Sequence, residues 1–428
     1  MKIIVALLLN AALLAWLLPW LRRQWGAAGP AERVLLAGAL GGRLLVGGLR
    51  GWRPVHDAKY MSHFGHLLTA KLWADPAAAL RSFAGNELWA GRESMVFYGD
   101  LSNTFFLTKL LAVLNLASLD TDWLNALYLS LFSFWGCWVL AQALRRALPH
   151  TPVGAGLVAA AWPSVVFWAS GISKEAVVLG SGAGLLAVFA MLAYGAAPLA
   201  PARRWWLVGA GLALALLHFR MRYFFAVPLL GALAGLAGVV LLQRLGAARA
   251  RWAQALVLAA VLGAGAWLVP ELGPAFRVNK FTHQVVTIYE HNLSLSLDKP
   301  HFEYPDLRPT LESILGHAPL AVANALTRPW LGESWQPLYL VAALENAALL
   351  ALLALAGWAA WQGRAGRLPF GLALALVVHC LALAVLLGLS TPNLGTLHRY
   401  RSGLLPYLLL LLLQNDYAAA AMRRLGLR

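Results

Sequence analysis

Five short segments of this sequence gather residues that can hold an anion or move a proton. The first is Arg53-Pro54-Val55-His56-Asp57-Ala58-Lys59-Tyr60-Met61-Ser62-His63-Phe64-Gly65-His66, and the second is Trp168-Ala169-Ser170-Gly171-Ile172-Ser173-Lys174-Glu175. The others are His218-Phe219-Arg220-Met221-Arg222-Tyr223, Arg328-Pro329-Trp330-Leu331-Gly332-Glu333 with Glu345-Asn346 beyond it, and Asn393 to Arg401, which contains His398-Arg399-Tyr400-Arg401. Guanidinium groups are well shaped for bidentate contacts with phosphate oxygens. Arg220, Arg222, Arg399 and Arg401, joined by Lys174, would therefore suit a lipid-linked phosphate. Residues two apart on a helix point to different faces, so neither arginine pair need serve one ligand.

Each of these residues also has a plainer reading. Arginine and tyrosine at helix ends commonly anchor a helix in the headgroups. Lys174 and Glu175 can form an internal salt bridge or start a helix, and Arg328-Pro329-Trp330 can be a turn carrying an aromatic belt residue. Asp57 can act as a general base, taking a proton from an acceptor hydroxyl, or can cap a helix over 58–72. Its neighbours His56, Lys59 and Tyr60 are candidate substrate contacts. His63 and His66 share a helix face, but no further ligand pair accompanies them, so no metal site is expected. Cys137 and Cys380 lie inside apolar runs and report nothing about redox compartment. There is no P-loop, dinucleotide fingerprint, nucleophile elbow or HExxH, so no cofactor is expected and an ATP-driven pump within this chain is excluded.

The elements that would position these segments are membrane helices. The chain has 428 residues, 60% hydrophobic and only 12% charged, whereas a soluble domain carries about 25% charged residues. Apolar runs near twenty residues recur, each long enough to cross roughly 30 Å of hydrocarbon. The expected fold is an all-α, polytopic transmembrane bundle forming a single integral membrane domain over 1–428. About eleven spans are expected: 3–20, 34–50, 123–144, 153–169, 175–195, 205–218, 223–242, 252–270, 338–361, 368–389 and 403–420. The first reads as a retained helix rather than a cleaved signal peptide. Residues 105–119, interrupted by Lys109 and Asn115, read as an interfacial or re-entrant helix, with a span as the alternative.

Charge placement sets a direction. With the N-terminus outside, the short inner loops hold Arg22, Arg23, Arg33, Arg145, Arg146, Arg203, Arg204, Arg244, Arg249, Arg251, Arg364, Arg367, Arg423, Arg424 and Arg428 against one acid, Glu32. That asymmetry follows the positive-inside rule and accounts for a net charge of +16 without nucleic acid as a partner. Two extracytoplasmic segments are long, 51–122 and 271–337, and are expected to contain short helices. All five polar signatures fall on that outer side.

The Asp-containing first loop, the Lys174-Glu175 pair after Trp168-Ala169-Ser170-Gly171, the Arg222-Tyr223 hairpin and the run His398-Arg399-Tyr400-Arg401-Ser402-Gly403 together resemble the GT-C class of polytopic glycosyltransferases. That class includes protein O-mannosyltransferases, aminoarabinose transferases of lipid A and related bacterial surface-polysaccharide proteins. The resemblance implies a polyprenyl-phosphate sugar donor, a glycan, lipid or protein acceptor, and reaction outside the cytoplasmic (inner) membrane. It implies Asp57 as base and Arg222, Arg399 and Arg401 as donor-phosphate contacts. Two other readings stay open: a glycan polymerase or ligase using lipid-linked oligosaccharide, and a transporter or flippase of a lipid-linked anion. Polar residues gathered at one surface favour the enzyme over the transporter.

Overall fold

The computed structural model describes residues 1–428 except 90–94, 98, 100, 150, 153, 196–199, 274, 275 and 428. Arg428 and parts of the inner loops 145–152 and 196–204 therefore lie outside the described residues. An apolar chain satisfies its backbone polar groups most readily within each segment, and most of the described chain closes into helix. Among the described residues, eight helices are long and apolar enough to cross a membrane. They are α1 (Lys2–Ala27), α2 (Pro30–Trp52), α6 (Asp122–Ala147), α9 (Lys174–Tyr194), α11 (Tyr223–Arg244), α12 (Arg251–Leu268), α15 (Pro337–Trp361) and α16 (Phe370–Ser390). Between the second and third of these lie α3 (His56–Ala74), α4 (Pro76–Ala84) and α5 (Asn103–Ser118). Strands β1 (Glu87–Trp89) and β2 (Met95–Phe97) pair antiparallel in the same stretch. Further along come α7 (Gly154–Ala161), α8 (Pro163–Trp168), α10 (Pro201–Met221), α13 (Val278–Ser294), α14 (Leu311–Thr327), α17 (Leu394–Arg401), α18 (Leu405–Leu412) and α19 (Asp416–Arg424).

The all-α expectation holds, but three of the expected spans are not continuous apolar crossings. Segment 153–169 breaks between α7 and α8, where Pro163 takes the first position of a new helix and cannot continue the old one. Eight residues of α7 rise only about 12 Å. Segment 403–420 is likewise divided, into α18 and α19, with a turn at 402–404 separating α18 from α17. Segment 205–218 lies within α10, whose ends carry Arg203, Arg204, His218 and Arg220, and α10 is not among the eight apolar helices.

Helices α6 and α9 form the centre of the bundle. Their apolar windows are 61% and 72% buried, against 11% for both α1 and α12, which lie at the outside of the bundle. Glycine makes the central contact: a Cβ on Gly136 would lie 2.2 Å from the Gly180 carbonyl oxygen. Without a hydrophobic force between helices in lipid, such close approach is a main source of association. Helix α2 runs antiparallel to α6, with Gly51 against Trp123 at one end and Glu32 paired with Arg145 at the other.

The polar interruptions of 105–119 now have partners. Lys109 Nζ donates to the carbonyls of Phe83 (2.8 Å) and Gly85 (2.9 Å), closing the end of α4. Asn115 donates to Thr69 Oγ1 (3.0 Å) and accepts from Asn125 (2.6 Å), tying α5 to α3 and α6. In the second long segment, α13 and α14 pack on α16. Residues 300–302 pair with 392–394, through Phe302 N to Pro392 O (3.2 Å) and Leu394 N to Pro300 O (3.1 Å). Asn393 then caps α17 by accepting from Thr396 N at 2.9 Å. This strap fixes the start of the helix that carries His398, Arg399 and Arg401.

Candidate functional site

Three chain segments far apart in sequence meet on one carboxylate. Ser173 caps α9 by accepting from Ala176 N, so Lys174 and Glu175 occupy its first turn. Arg222 is the extended residue joining α10 to α11, and Arg399 lies on α17. Arg222 Nη2 donates to Glu175 Oε1 at 2.7 Å, and Arg399 Nη2 donates to Glu175 Oε2 at 2.9 Å. Glu175 is only 4% exposed, so these ion pairs are largely shielded from solvent. The Tyr400 ring lies 4.2 Å from the Arg222 guanidinium. Asp57 Oδ2 stands 3.9 Å from Arg399 Nη1, and its side chain is 70% exposed. Asp57 does not cap α3; it sits in the first turn while Val55 holds the cap position without a side-chain bond. The carboxylate is thus open on one side and faces a guanidinium on the other.

Two further cations border the cluster. Lys174 Nζ donates to Asn103 Oδ1 (2.7 Å) and Thr104 Oγ1 (2.8 Å), both neutral acceptors at the start of α5. Arg50 Nη1 donates to the carbonyls of Phe167 (2.9 Å), Trp168 (3.4 Å) and Ser170 (2.9 Å). It closes the end of α8, where Gly171 adopts φ +80 and leaves room for the Arg50 side chain.

The remaining expected residues go elsewhere. Arg401 is fully buried and donates to Arg328 O (2.9 Å) and Asn346 Oδ1 (2.7 Å). It braces α14 and α15 rather than joining Arg399, as the two-residue spacing allows. Arg328 pairs with Glu333 at 3.0 Å and lies over Trp330, a local turn. Arg220 lies over the Phe106 ring at 5.7 Å, away from its neighbour Arg222. His56 and Lys59 are exposed on the first turns of α3, and among the described residues no hydrogen bond or ion pair ties them to Glu175 or the arginines. Tyr60 packs against Phe64, ring centroids 4.7 Å apart. His66 Nε2 contacts Asp122 Oδ1 at 3.2 Å, and the described residues hold no group of three metal-binding side chains.

The electrostatics separate two neighbours on α17, Arg399 and His398. Burial works against the charge of Arg399, but Glu175 more than offsets it, and its pKa rises above the ordinary value. Burial, then the Arg401 charge, pushes His398 down to about 3, so the ring is neutral. Trp168 Nε1 donates to His398 Nδ1 at 3.1 Å, which fixes the proton on Nε2, facing Glu345 Oε1 at 3.9 Å. Among the described arginines, the Nε atoms that are buried without a partner belong to Arg222, Arg328, Arg399 and Arg401.

Sequence reasoning did not select Arg50, Asn103 or Thr104. Arg50 could have been flagged as an ionisable residue at the end of an apolar run; Asn103 and Thr104 carry no such mark. No family model, curated protein or solved structure matches this chain.

Proposed function

We propose that this chain is a membrane glycosyltransferase that moves a sugar from a polyprenyl-phosphate-linked donor to a glycan, lipid or protein acceptor on the extracytoplasmic face of a bacterial inner membrane. The observation that carries the reading is the meeting of Arg222 and Arg399 on buried Glu175, beside a solvent-open Asp57. Arginines held this rigidly can bind phosphate through their remaining donors, and Asp57 is accessible to an acceptor hydroxyl. In the reaction, the acceptor oxygen forms a bond to the sugar's anomeric carbon as the bond from that carbon to the phosphate oxygen breaks. The electron pair stays on the phosphate, facing the guanidinium groups. The hydroxyl proton passes to Asp57. A single displacement of this kind inverts the anomeric centre.

The topology belongs to the same proposal. Counting α10 and the two broken segments, α7–α8 and α18–α19, as crossings gives eleven. With the N-terminus outside, Asp57, Glu175, Arg222 and Arg399 then share the outer face, and the short arginine-rich loops face the cytoplasm.

In cells that depend on this chain for a surface glycan, Asp57→Asn lowers transfer by at least about 100-fold, the usual contribution of a positioned base. Protein level and membrane insertion stay normal. Transfer at the wild-type rate removes the base assignment.

A further inference from the structure

A groove opens on the side of the bundle where α1 meets α5 and α6. It is an apolar cavity of about 370 Å³, with Leu13, Trp16, Leu114, Ala117, Phe132 and Trp135 in its walls. Leu9 and Trp16 on its rim are exposed. The polar groups beside it already serve one another. Asn10 donates to the carbonyls of Ala6 and Ala117, both at 2.8 Å, and accepts from the Tyr128 hydroxyl at 2.6 Å. The described walls therefore suit hydrocarbon rather than a polar ligand. Apolar cavities stay dry and take apolar guests, and one of about 150 Å³ already holds benzene. Side chains around such a space gain dispersion contacts when a chain enters it.

Helix α5 joins this cavity to the arginine cluster. At its start, Asn103 and Thr104 accept from Lys174 Nζ, next to Glu175. Near its other end, Leu114 and Ala117 line the cavity. Asn103, Phe106, Leu110, Leu114 and Ala117 recur every three or four residues, so they share one helix face. All five are half-buried, whereas Phe105, Leu111 and Ala112, which point elsewhere, are buried. Beyond Asn103 the stripe is wholly apolar. Resting on the lipid-phosphate reading above, we propose that this stripe guides the hydrocarbon chain of the lipid-linked substrate into the cavity between α1, α5 and α6, making chain length a determinant of specificity. From Asn103 to Ala117 the helix rises about 21 Å. The carbon–carbon bonds along a farnesyl chain, eleven of about 1.5 Å each, reach less than about 17 Å. A farnesyl chain stops short of Ala117, and a chain of eleven isoprene units runs well past it. A bilayer lipid entering the cavity from the side has no such link to the phosphate site.

The test uses the full chain in phosphatidylcholine nanodiscs, with two probes that share a headgroup: farnesyl phosphate and an eleven-unit polyprenyl phosphate. Ala117→Trp fills the cavity from α5. Each probe is compared between wild type and variant, so its partition into the bilayer cancels. The long chain is expected to lose at least about fivefold in affinity, and farnesyl phosphate to stay within about twofold. A thermal melt checks folding, and Leu13→Trp, which fills the cavity from α1, replaces a variant that does not fold. If neither folds, a diazirine on the far half of the long chain decides in wild type: labelling of 9–17 or 128–135 supports the assignment, and labelling only elsewhere overturns it. Equal losses for both probes, or no loss for either, overturn the chain assignment while leaving a lipid-phosphate site; in the second case the cavity holds bilayer lipid only. If neither probe binds better to wild type than to Arg399→Ala, the lipid-phosphate reading itself falls, and the chain assignment with it.

Discussion

Two regions of this bundle bury charge, and they use it differently. In the broken segment α7–α8, each charge closes a helix end. Arg43, fully buried in α2, donates to the Ala160 carbonyl at 2.7 Å and to Ser133 Oγ at 3.0 Å, so it sits at the C-terminus of α7. Glu345 of α15 accepts from the backbone N–H of Ser164 at 3.0 Å and from the Ser164 hydroxyl and Trp162 ring N–H, so it sits at the N-terminus of α8. Arg50 closes the other end of α8. Cations lie at carbonyl ends and the anion at an amide end, as helix dipoles favour. Around Glu175, by contrast, the charges meet one another, and donors on Arg222 and Arg399 are left without partners. Discontinuous helices often bind a transported ion at their broken ends. Here the protein's own side chains occupy those ends, which argues against the transporter reading.

The comparison is most directly broken at Glu175 itself. Glu175→Ala leaves two buried guanidinium groups facing each other, and removing one partner of a buried pair typically costs about 3–5 kcal/mol. The expected result is a large drop in melting temperature in detergent, partly restored by farnesyl phosphate, whose phosphate takes the place of the carboxylate. A loss that the anion does not restore would make the cluster a structural lock like the first region.

A smaller effect is expected at the helix ends. Glu345→Ala strips acceptors from Ser164 and the Trp162 ring, at about 1–3 kcal/mol for a buried donor left unsatisfied. Its melting temperature is not expected to recover with the same anion. Recovery would mean that the ligand reaches α8, merging the two regions into one site.

Much of this arrangement was visible in the sequence, and the missing part has a physical cause. Lys174, Glu175, Arg222 and Arg399 stood out because a charge beside an apolar run needs a reason. Their pairing did not, since Glu175 and Arg399 lie 224 positions apart. The break at Trp162–Pro163 was read through for the same reason. Residues 153–169 carry no charge, and what permits the backbone to open there is Arg43, 117 positions from the carbonyl it serves, together with Glu345, 181 positions from Ser164. Hydropathy reports whether a segment suits lipid; it carries no record of a distant side chain that satisfies a freed carbonyl. Asp57 was read both as base and as cap, and the structure removes the cap because α3 begins two residues earlier than 58, at His56.

The smallest effect belongs to a pair that neither closes a helix end nor joins the cluster. His66 on α3 lies 3.2 Å from Asp122, where α6 begins, and both side chains are partly exposed. The Asp122 carboxylate raises the His66 pKa, burial opposes it, and Asp120 adds to the rise. A folded-state pKa above the unfolded value of about 6.5 means that protonated His66 favours the fold. That contribution is fully present below about pH 6.5 and disappears as pH rises through the higher folded value. Solvent screening at a site this exposed reduces it to a few tenths of a kcal/mol. The melting temperature should therefore fall slightly more between pH 6 and pH 8 for wild type than for His66→Asn, which cannot titrate. A His66→Asn slope equal to that of wild type would show that the contact contributes nothing. A pH effect as large as the loss at Glu175 would mean that exposed charge matters here as much as buried charge, and the distinction between the two buried regions would lose its physical basis.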